Sequence, residues 1–397
     1  MEADTLAALQ SGHGRDAVAA AVALLDSGVS ALAVGEQVRR EFTALPAELA
    51  SAAVAQATLR RRGRAKFGAD ADTMWFTADG LEQATSAAVA RYRASRFATI
   101  AGTLARPPRV VDLCCGIGGD LRALAAAGCE VTGIDRDPAT VLAARGNQTS
   151  AVLCADVETI DLTGYDAAFI DPARRTSGRR TFDVNSYMPP WAFVTAVLRA
   201  LPAAAAKVAP GVSHDLIPVG AEAEWVSLGG GLKEAVLWAG AFSSAGVRRR
   251  ATVLPTGASM HSMTDADEPP PSGPARRYLY EPDDAVVRAH LIGDLARSLD
   301  GVLLDPTTAY ITSDRLVATP FAQVFEVLDV MPYSLKRLRT ALRERRVGSV
   351  TIMKRGSALD VEQLRHDLRL TGDQQAVVVL ALVGGRHHAV IAAPASN

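Results

Sequence analysis

Acidic side chains of this sequence fall where predicted strands end, and one of these ends opens into a glycine-rich turn. Residues 110–120 have the sequence VVDLCCGIGGD, which predicts a strand, a tight turn and the start of a helix. Glycine in such a turn allows the backbone to approach a ligand closely. The next predicted strand ends at Asp135, where a carboxylate can accept hydrogen bonds from both hydroxyls of a ribose. This pattern suits NAD and S-adenosylmethionine (SAM) equally well.

Three further features favour SAM over NAD. Asp112 comes directly before the turn, where a carboxylate can interact with the cationic methionine moiety of SAM. A site for NAD would instead place N–H groups of the helix around a pyrophosphate. A third predicted strand ends at Asp156, which can accept from an adenine amine. A fourth ends at Asp171, at the predicted switch point of the sheet. The alternative is a nucleotide-free α/β domain with a tight turn, and four ordered features at successive strand ends weigh against it.

On these residues the sequence resembles the class I SAM-dependent methyltransferases, over roughly residues 70–255. The segment from Asp112 to Gly118 is similar to their first motif, with Cys114 where many members have glycine. The resemblance implies a cofactor site formed by Asp112, Cys114, Gly116, Gly118, Asp135 and Asp156.

Within that class the sequence is similar to the trimethylguanosine-synthase-like and RNA guanine methyltransferases. Residues 74–83 (MWFTADGLEQ) look like their lead-in Trp-Phe-Ser-x-Thr-Pro-Glu, and residues 144–147 (ARGN) also look like theirs. The whole layout resembles a bacterial group of methyltransferases with a THUMP-like C-terminal domain. THUMP domains bind structured RNA, so the resemblance implies an RNA partner.

The end of the fourth strand, Asp171-Pro172-Ala173-Arg174, bears on the chemistry. Enzymes that methylate amines typically have Asp, Asn or Ser, then Pro-Pro and an aromatic residue. The resemblance implies that Asp171 and Pro172 orient the amine and that Arg174 replaces the aromatic ring that stacks on a flipped base. The segment also looks like the Asp-Pro-Pro-Arg of RNA 5-methyluridine enzymes. No Cys nucleophile follows the next predicted strand, which disfavours methylation of carbon.

Basic side chains form clusters although the formal net charge is only −1. The clusters lie in residues 60–66, 174–180, 248–250 and 336–346, and this segregation of charge favours a phosphate backbone as partner. A solvated surface is the ordinary alternative for any single cluster. The candidate substrate-binding residues are the rings of Trp75 and Phe76 and the arginines Arg175, Arg337 and Arg345.

An α/β framework has to position these residues. Short apolar runs alternate with helical patterns in residues 101–256, which predicts a doubly wound, Rossmann-like methyltransferase sheet. Residues 1–100 predict a helical N-terminal region, and the Pro-rich residues 257–275 predict a linker. Residues 276–397 predict a small α+β THUMP-like domain that ends in a hairpin.

The composition limits the classes of protein that need to be considered. A chain of 397 residues with 49% hydrophobic content predicts two or three domains and excludes bulk disorder. We expect a cytoplasmic protein, because no apolar run is long enough to cross a membrane and the acidic N-terminus does not resemble a signal peptide. The four cysteines are expected to be small buried side chains, and their spacing predicts no metal site.

The sequence therefore predicts a SAM-dependent methyltransferase that acts on a nucleobase amine in structured RNA, either rRNA or tRNA. The exocyclic amine of guanine is the first choice of acceptor and the amine of adenine is the second. Three alternatives stay open. They are a methyltransferase of a small molecule or protein, a non-catalytic RNA-binding protein that retains SAM, and an NAD-dependent oxidoreductase.

Overall fold

The computed structural model describes residues 1–173, 175–176, 179–180, 184–262, 270–355 and 360–395. The side chains of residues 103, 175, 176, 179, 180 and 185 are not among the described atoms. The chain divides into two compact units. The first unit comprises Met1–Glu222 and Glu234–Ala245, and the second comprises Ala223–Lys233 and Gly246–Asn397.

The described residues form α-helices over the following segments: α1 Ala3–Leu9, α2 Gly12–Asp26, α3 Ala31–Glu41, α4 Ala47–Phe67, α5 Ala78–Gln83, α6 Ala87–Ala98, α7 Gly119–Ala126, α8 Pro138–Asn147, α9 Trp191–Ala200, α10 Asp284–Arg288, α11 Ile292–Ser298, α12 Leu335–Glu344 and α13 Val361–Leu368.

They form β-strands over these segments: β1 Arg109–Leu113, β2 Glu130–Asp135, β3 Ala151–Cys154, β4 Ala167–Ile170, β5 Arg175–Thr176, β6 Arg179–Arg180, β7 Ala203–Val208, β8 Glu222–Leu228, β9 Gly231–Gly240, β10 Arg249–Leu254, β11 Ala258–Ser262, β12 Tyr278–Pro282, β13 Val302–Leu303, β14 Ile311–Ser313, β15 Ala322–Pro332, β16 Val347–Lys354, β17 Gln374–Val383 and β18 Arg386–Pro394.

The first unit is built on a parallel sheet. Its strands follow the order β9-β7-β4-β1-β2-β3, and all neighbours from β7 to β3 pair in parallel. Strand β9 runs antiparallel beside β7. Strand order reverses next to β1, which places a switch point at the carboxyl ends of β1 and β4. The prediction of a doubly wound, Rossmann-like sheet is confirmed.

Helices α1–α6, here called the helical layer, belong to the same unit as this sheet. Alanine and leucine side chains of the layer form a continuous core that also includes Ile117 of the glycine turn and Ala143 of α8. Local sequence sets the ends of these helices. The hydroxyl of Thr77 accepts the N–H of Gly80 at the start of α5, and Gly68, with φ +60°, terminates α4. The layer is therefore packed directly on the elements that carry the predicted cofactor site.

The second unit contains a seven-stranded sheet with the order β13-β14-β12-β15-β18-β17-β16. Side chains of α12 and α13 pack with strands β16–β18 in one core, and a second core includes Leu279, Tyr310 and Phe325. Strands β17 and β18 form the predicted C-terminal hairpin, which turns at Gly384 and Gly385 with positive φ.

The division between units differs from the boundary expected at residue 256. Residues 223–233 group with the second unit, in which β8 pairs in parallel with β10. Part of the expected linker is also a strand, since β11 pairs antiparallel with β10. Residues 263–269, the acidic part of that linker, lie outside the described residues.

Candidate active site

A cleft with a volume of about 480 Å³ lies at the carboxyl ends of the parallel strands in the first unit. One wall is formed by residues 77–80 and 83–85 of the helical layer. The predicted site residues that line it are Asp112, Cys114, Gly116, Asp135, Asp171 and Pro172. The sheet therefore brings together residues that are up to 60 positions apart in the sequence.

The glycine-rich turn between β1 and α7 has three residues with left-handed backbone. Their φ angles are +65° at Cys114, +55° at Gly116 and +81° at Gly118. Cys114 thus adopts a conformation that favours glycine, at the position where the resembled motif usually has glycine. A Cβ atom on Gly118 would lie 3.4 Å from the Cβ of Ala144, which is an ordinary contact, so the positive φ rather than lack of space favours glycine at this position.

Asp112 is fully buried at the base of the cleft. Neither of its carboxylate oxygens has a hydrogen-bond partner in the part of the chain that the structure describes. Burial raises the pKa of its carboxyl well above the usual range, and the nearby carboxylates of Asp120 and Asp171 add to this effect. A buried acceptor without a donor is costly, and a cationic or N–H-bearing ligand would satisfy it. This unpartnered carboxylate fits the sulfonium and ammonium groups of SAM.

Asp135 ends β2 and lies beside the turn. Its Oδ2 accepts the N–H of Gly116 at 3.0 Å, and its Oδ1 accepts the N–H of Asp137 at 3.0 Å. Burial raises the pKa of this carboxyl, and these backbone hydrogen bonds oppose the rise. Each oxygen retains a second lone pair that can accept from a ribose hydroxyl.

Asp156 stands apart from this group. It is exposed, and its carboxylate accepts the N–H of Glu158 at 3.0 Å at the start of a short 3-10 helix. It follows β3 as predicted but is not among the residues that line the cleft. Its assignment to adenine stays a prediction.

The end of β4 carries a contact that the sequence did not indicate. Asp171 Oδ2 lies 2.5 Å from the Nζ of Lys207, a buried lysine of β7. Lys207 also donates to the hydroxyl of Thr85 at 3.0 Å. Arg174, expected beside Asp171, lies outside the described residues. Arg175 is described only in its backbone, in β5, so its side chain is not placed.

Arg93 of α6 forms a second buried ionic group under the cleft. Its guanidinium pairs with Asp120 and with Glu234, and it lies 4.5 Å from the ring centre of Phe169 in β4. Burial alone lowers the pKa of Arg93, but the two carboxylates outweigh it and leave the pKa raised. Sequence reasoning did not single out Arg93, Asp120, Glu234, Thr85 or Lys207. Asp120 ends the glycine-rich segment 110–120, but nothing in that segment indicates its pairing with Arg93, and the other four residues belong to no recognisable motif.

Trp75 and Phe76 require a correction. Both are buried in the core of the helical layer, with relative exposures of 3% and 0%. The guanidinium of Arg60 covers the Trp75 ring at 4.8 Å. Neither ring offers a free face, so the prediction that they stack on a base is wrong. Their backbone has a role instead, because the side chain of Asn147 pairs with both the N–H and the carbonyl of Trp75.

The two arginines of the predicted RNA surface lie in the second unit, on and beside α12. Arg337 is exposed, whereas Arg345 is partly buried and paired with Asp329 at 3.0 Å.

Of the cysteines, Cys115 and Cys129 are buried as expected, but Cys154 is exposed because it lies in the edge strand β3. Among the described residues there is no cluster that could hold a metal ion and no helix long and apolar enough to cross a bilayer.

A parallel sheet with this strand order, a turn of left-handed residues after β1 and acidic side chains at the ends of β1 and β2 defines a class I SAM-binding methyltransferase fold. Family models agree with this class: a methyltransferase domain matches residues 111–171, and a THUMP domain-like family matches residues 322–394. A third family, of unknown function, matches residues 2–63.

Relatives extend the match to most of the chain. An uncharacterized SAM-dependent methyltransferase of Mycobacterium tuberculosis is 36% identical over 343 residues, which cover 82% of this chain and 91% of the relative. The protein from a second strain of that species gives the same values. A crystal structure of a Porphyromonas gingivalis protein, described as a candidate methyltransferase, has the same fold with a TM-score of 0.74 and 21% identity, over 89% of this chain and 92% of that one.

The chain belongs to the SAM-dependent methyltransferases, and it has a THUMP-like C-terminal domain. The predicted enzyme class and cofactor are therefore confirmed. The alternatives of an NAD-dependent oxidoreductase and of a nucleotide-free domain are excluded by the same findings.

Proposed function

We propose that this methyltransferase transfers the methyl group of SAM to a nucleobase amine in structured RNA, either rRNA or tRNA. Asp112 and Asp135, with the turn of Cys114, Gly116 and Gly118, would hold the cofactor. The observation that carries the proposal is the position of Asp171 and Pro172 in the wall of the cleft, next to these cofactor-binding residues. We retain a guanine amine as the first choice of acceptor and an adenine amine as the second.

Bound SAM supplies an electrophilic methyl group. The task of the protein is to present a nitrogen lone pair to it, and positioning of this kind accounts for most of such catalysis. The carboxylate of Asp171 can accept a hydrogen bond from an N–H of the amine, which turns the lone pair towards the methyl group. As the N–C bond forms and the S–C bond breaks, the nitrogen becomes cationic and then loses a proton to water or to Asp171.

The second unit supports an RNA partner. Its THUMP-like segment, residues 322–394, includes the basic helix α12. Lys336 and Arg337 on this helix are exposed and form no ion pair with any described residue. Exposed cations of this kind bind a phosphate backbone without reading its sequence.

Transfer of labelled methyl groups tests the proposal. The purified full-length protein and methyl-labelled SAM are incubated with the RNA, protein and small-molecule fractions of an extract from a strain that lacks the gene. We expect label in RNA, and digestion to nucleosides identifies the acceptor base. Label in the protein or small-molecule fraction alone would overturn the RNA assignment and favour the alternative substrate classes.

A further inference from the structure

The pairing of Lys207 with Asp171 is the feature of the cleft that the proposed function does not yet use. The Lys207 side chain is only 6% exposed, whereas that of Asp171 is 24% exposed and faces the cleft. A buried ammonium group needs partners, because its desolvation is otherwise very costly. Asp171 Oδ2 at 2.5 Å and the hydroxyl of Thr85 at 3.0 Å are those partners.

This arrangement leaves one carboxylate oxygen available. Oδ2 of Asp171 is engaged by Lys207, whereas Oδ1 has no hydrogen-bond partner in the described part of the chain. A short aspartate side chain held at one oxygen by a buried cation has little freedom to rotate. Oδ1 is therefore presented in a fixed direction at the cleft wall.

The helical layer holds the other end of the contact. Thr85 follows α5, and the segment before it is fixed by Lys66 of α4. The Nζ of Lys66 donates to the carbonyl oxygens of residues 81, 82 and 84 at 2.7–2.8 Å. A continuous series of contacts thus runs from α4 through Thr85 and Lys207 to Asp171.

We infer that Lys207 and Thr85 are positioning residues for methyl transfer, which fix Asp171 so that Oδ1 receives the N–H of the acceptor amine. The inference rests on the proposed role of Asp171, but it does not depend on whether that amine belongs to RNA. It also gives the helical layer a part in the reaction beyond packing.

Lys207→Met removes the ammonium group and keeps an unbranched apolar side chain that is shorter by that one atom. We expect kcat to fall about 10- to 100-fold, the range that a small misplacement of a reacting group produces. The affinity for SAM, measured by calorimetry, should stay within about twofold, because Lys207 contacts Asp171 and not the cofactor-binding carboxylates. Lys233→Met, the same change at an exposed lysine, is the matched control and should leave both quantities unchanged.

Thr85 permits a milder test in case Lys207→Met fails to fold. Thr85→Val removes the hydroxyl at constant shape, and Thr85→Ser keeps it. Loss of one hydrogen bond to the ammonium group should lower kcat roughly 2- to 10-fold in the valine variant, while the serine variant retains it. Equal activity of the two variants would overturn the role of Thr85.

A double-mutant cycle with Asp171→Ala decides whether Lys207 acts through Asp171. If it does, adding Lys207→Met to Asp171→Ala lowers kcat by less than about threefold further. Independent, multiplying effects on kcat would overturn the inference, as would loss of SAM affinity in parallel with the loss of turnover.

The same labelling reaction separates this inference from the proposed function. The variants are compared on whichever fraction the wild type labels, whether RNA, protein or small molecules. Label outside RNA would overturn the RNA assignment and still allow the coupling of Lys207 to Asp171 to be measured. Full turnover of Asp171→Ala would remove Asp171 from the proposed mechanism and, with it, the inference.

Discussion

Asp112 has a buried carboxylate with no donor near it in the described structure, although it lies at the base of a ligand cleft. Such a group destabilises the ligand-free protein when it is ionised, and a bound cofactor that donates a hydrogen bond to it would offset that cost. Removal of the charge should therefore have opposite effects on two quantities: the ligand-free protein should become more stable, and the affinity for the cofactor should fall.

We predict that Asp112→Asn weakens SAM binding and raises the stability of the ligand-free protein most at high pH. Burial raises the pKa of Asp112, so the folded state binds its proton more tightly than the unfolded chain does. Stability from this group is present at low pH and is lost as pH rises above 3.8 towards the folded-state pKa. The stability difference between variant and wild type should grow with pH by at most about 1.4 kcal/mol per pH unit. Urea unfolding between pH 5 and pH 8 measures it, and a difference independent of pH would contradict the assignment.

Asp135→Ala should weaken SAM binding by roughly 1–3 kcal/mol, because two ribose hydroxyls lose their acceptor. Calorimetric titration with SAM provides the measurement. The control is Asp161→Ala, which removes a carboxylate that does not line the cleft and should bind SAM like the wild type. Wild-type affinity in Asp135→Ala would show that Asp135 does not contact the cofactor.

Sequence reasoning at this scale found the residues that follow strands and missed those that reach them from elsewhere. Asp112, Asp135 and Asp171 could be predicted from the sequence, because each follows an apolar run that is typical of a buried strand. Lys207 is 36 residues from Asp171 and Thr85 is 122 residues from Lys207, so only the folded sheet brings them into contact. Trp75 and Phe76 were misassigned because burial beneath neighbouring helices leaves no local trace in a short motif.

At the scale of elements, the end of α8 connects the helical layer to the glycine turn. Asn147, the last residue of α8, donates to the carbonyls of Trp75 and Ile117, each at 2.9 Å, and accepts the N–H of Trp75 at 2.6 Å. Gly146 beside it has no room for a side chain, since a Cβ would lie 2.7 Å from the Trp75 ring. One buried amide thus holds three backbone groups of two different segments.

Asn147→Ala should therefore cost about 2–4 kcal/mol of unfolding free energy, because buried backbone groups lose their partners. SAM binding should weaken as well, since Ile117 lies within the glycine-rich turn that we propose holds the cofactor. Chemical unfolding and calorimetry measure the two effects. The control is Gln148→Ala, which changes the next residue, outside this network. If Asn147→Ala is as stable as that control, Asn147 does not hold the helical layer to the glycine turn.

Most elements of the first unit could be predicted, because the alternation of apolar runs and helical patterns is strong there. The residues at which the two units begin and end could not be predicted in the same way. Strand β11 lies in a polar, Pro-flanked stretch and is stabilised by pairing with β10, an interaction that composition does not reveal. Local pattern fixes the type of an element better than it fixes the partner of that element.

At the scale of the whole molecule, the proposed RNA substrate predicts a defined dependence on charge in the second unit. Replacing Lys336 and Arg337 together by Glu should weaken RNA binding at low salt. It should also reduce the slope of log K against log salt by about 1 for each phosphate that the variant no longer neutralises. Filter binding to rRNA and tRNA over a salt series measures this, with SAM affinity unchanged.

The matched control is the double charge reversal of Arg39 and Arg40, two exposed arginines of α3 in the helical layer. It alters net charge by the same amount. If both double variants lose RNA affinity equally, attraction depends on net charge alone and α12 is not a binding surface.

The wall of the cleft formed by residues 77–85 has a consequence for any shortened form of the enzyme. A fragment that starts at β1 would retain every motif by which the methyltransferase class is recognised, yet its cofactor would lie open to water on one side and Lys207 would lack its hydroxyl partner. A shortened form that keeps the cleft therefore has to include the helical layer. Protease cleavage between α6 and β1, which separates this wall from the sheet, should therefore lower turnover even when the sheet survives intact.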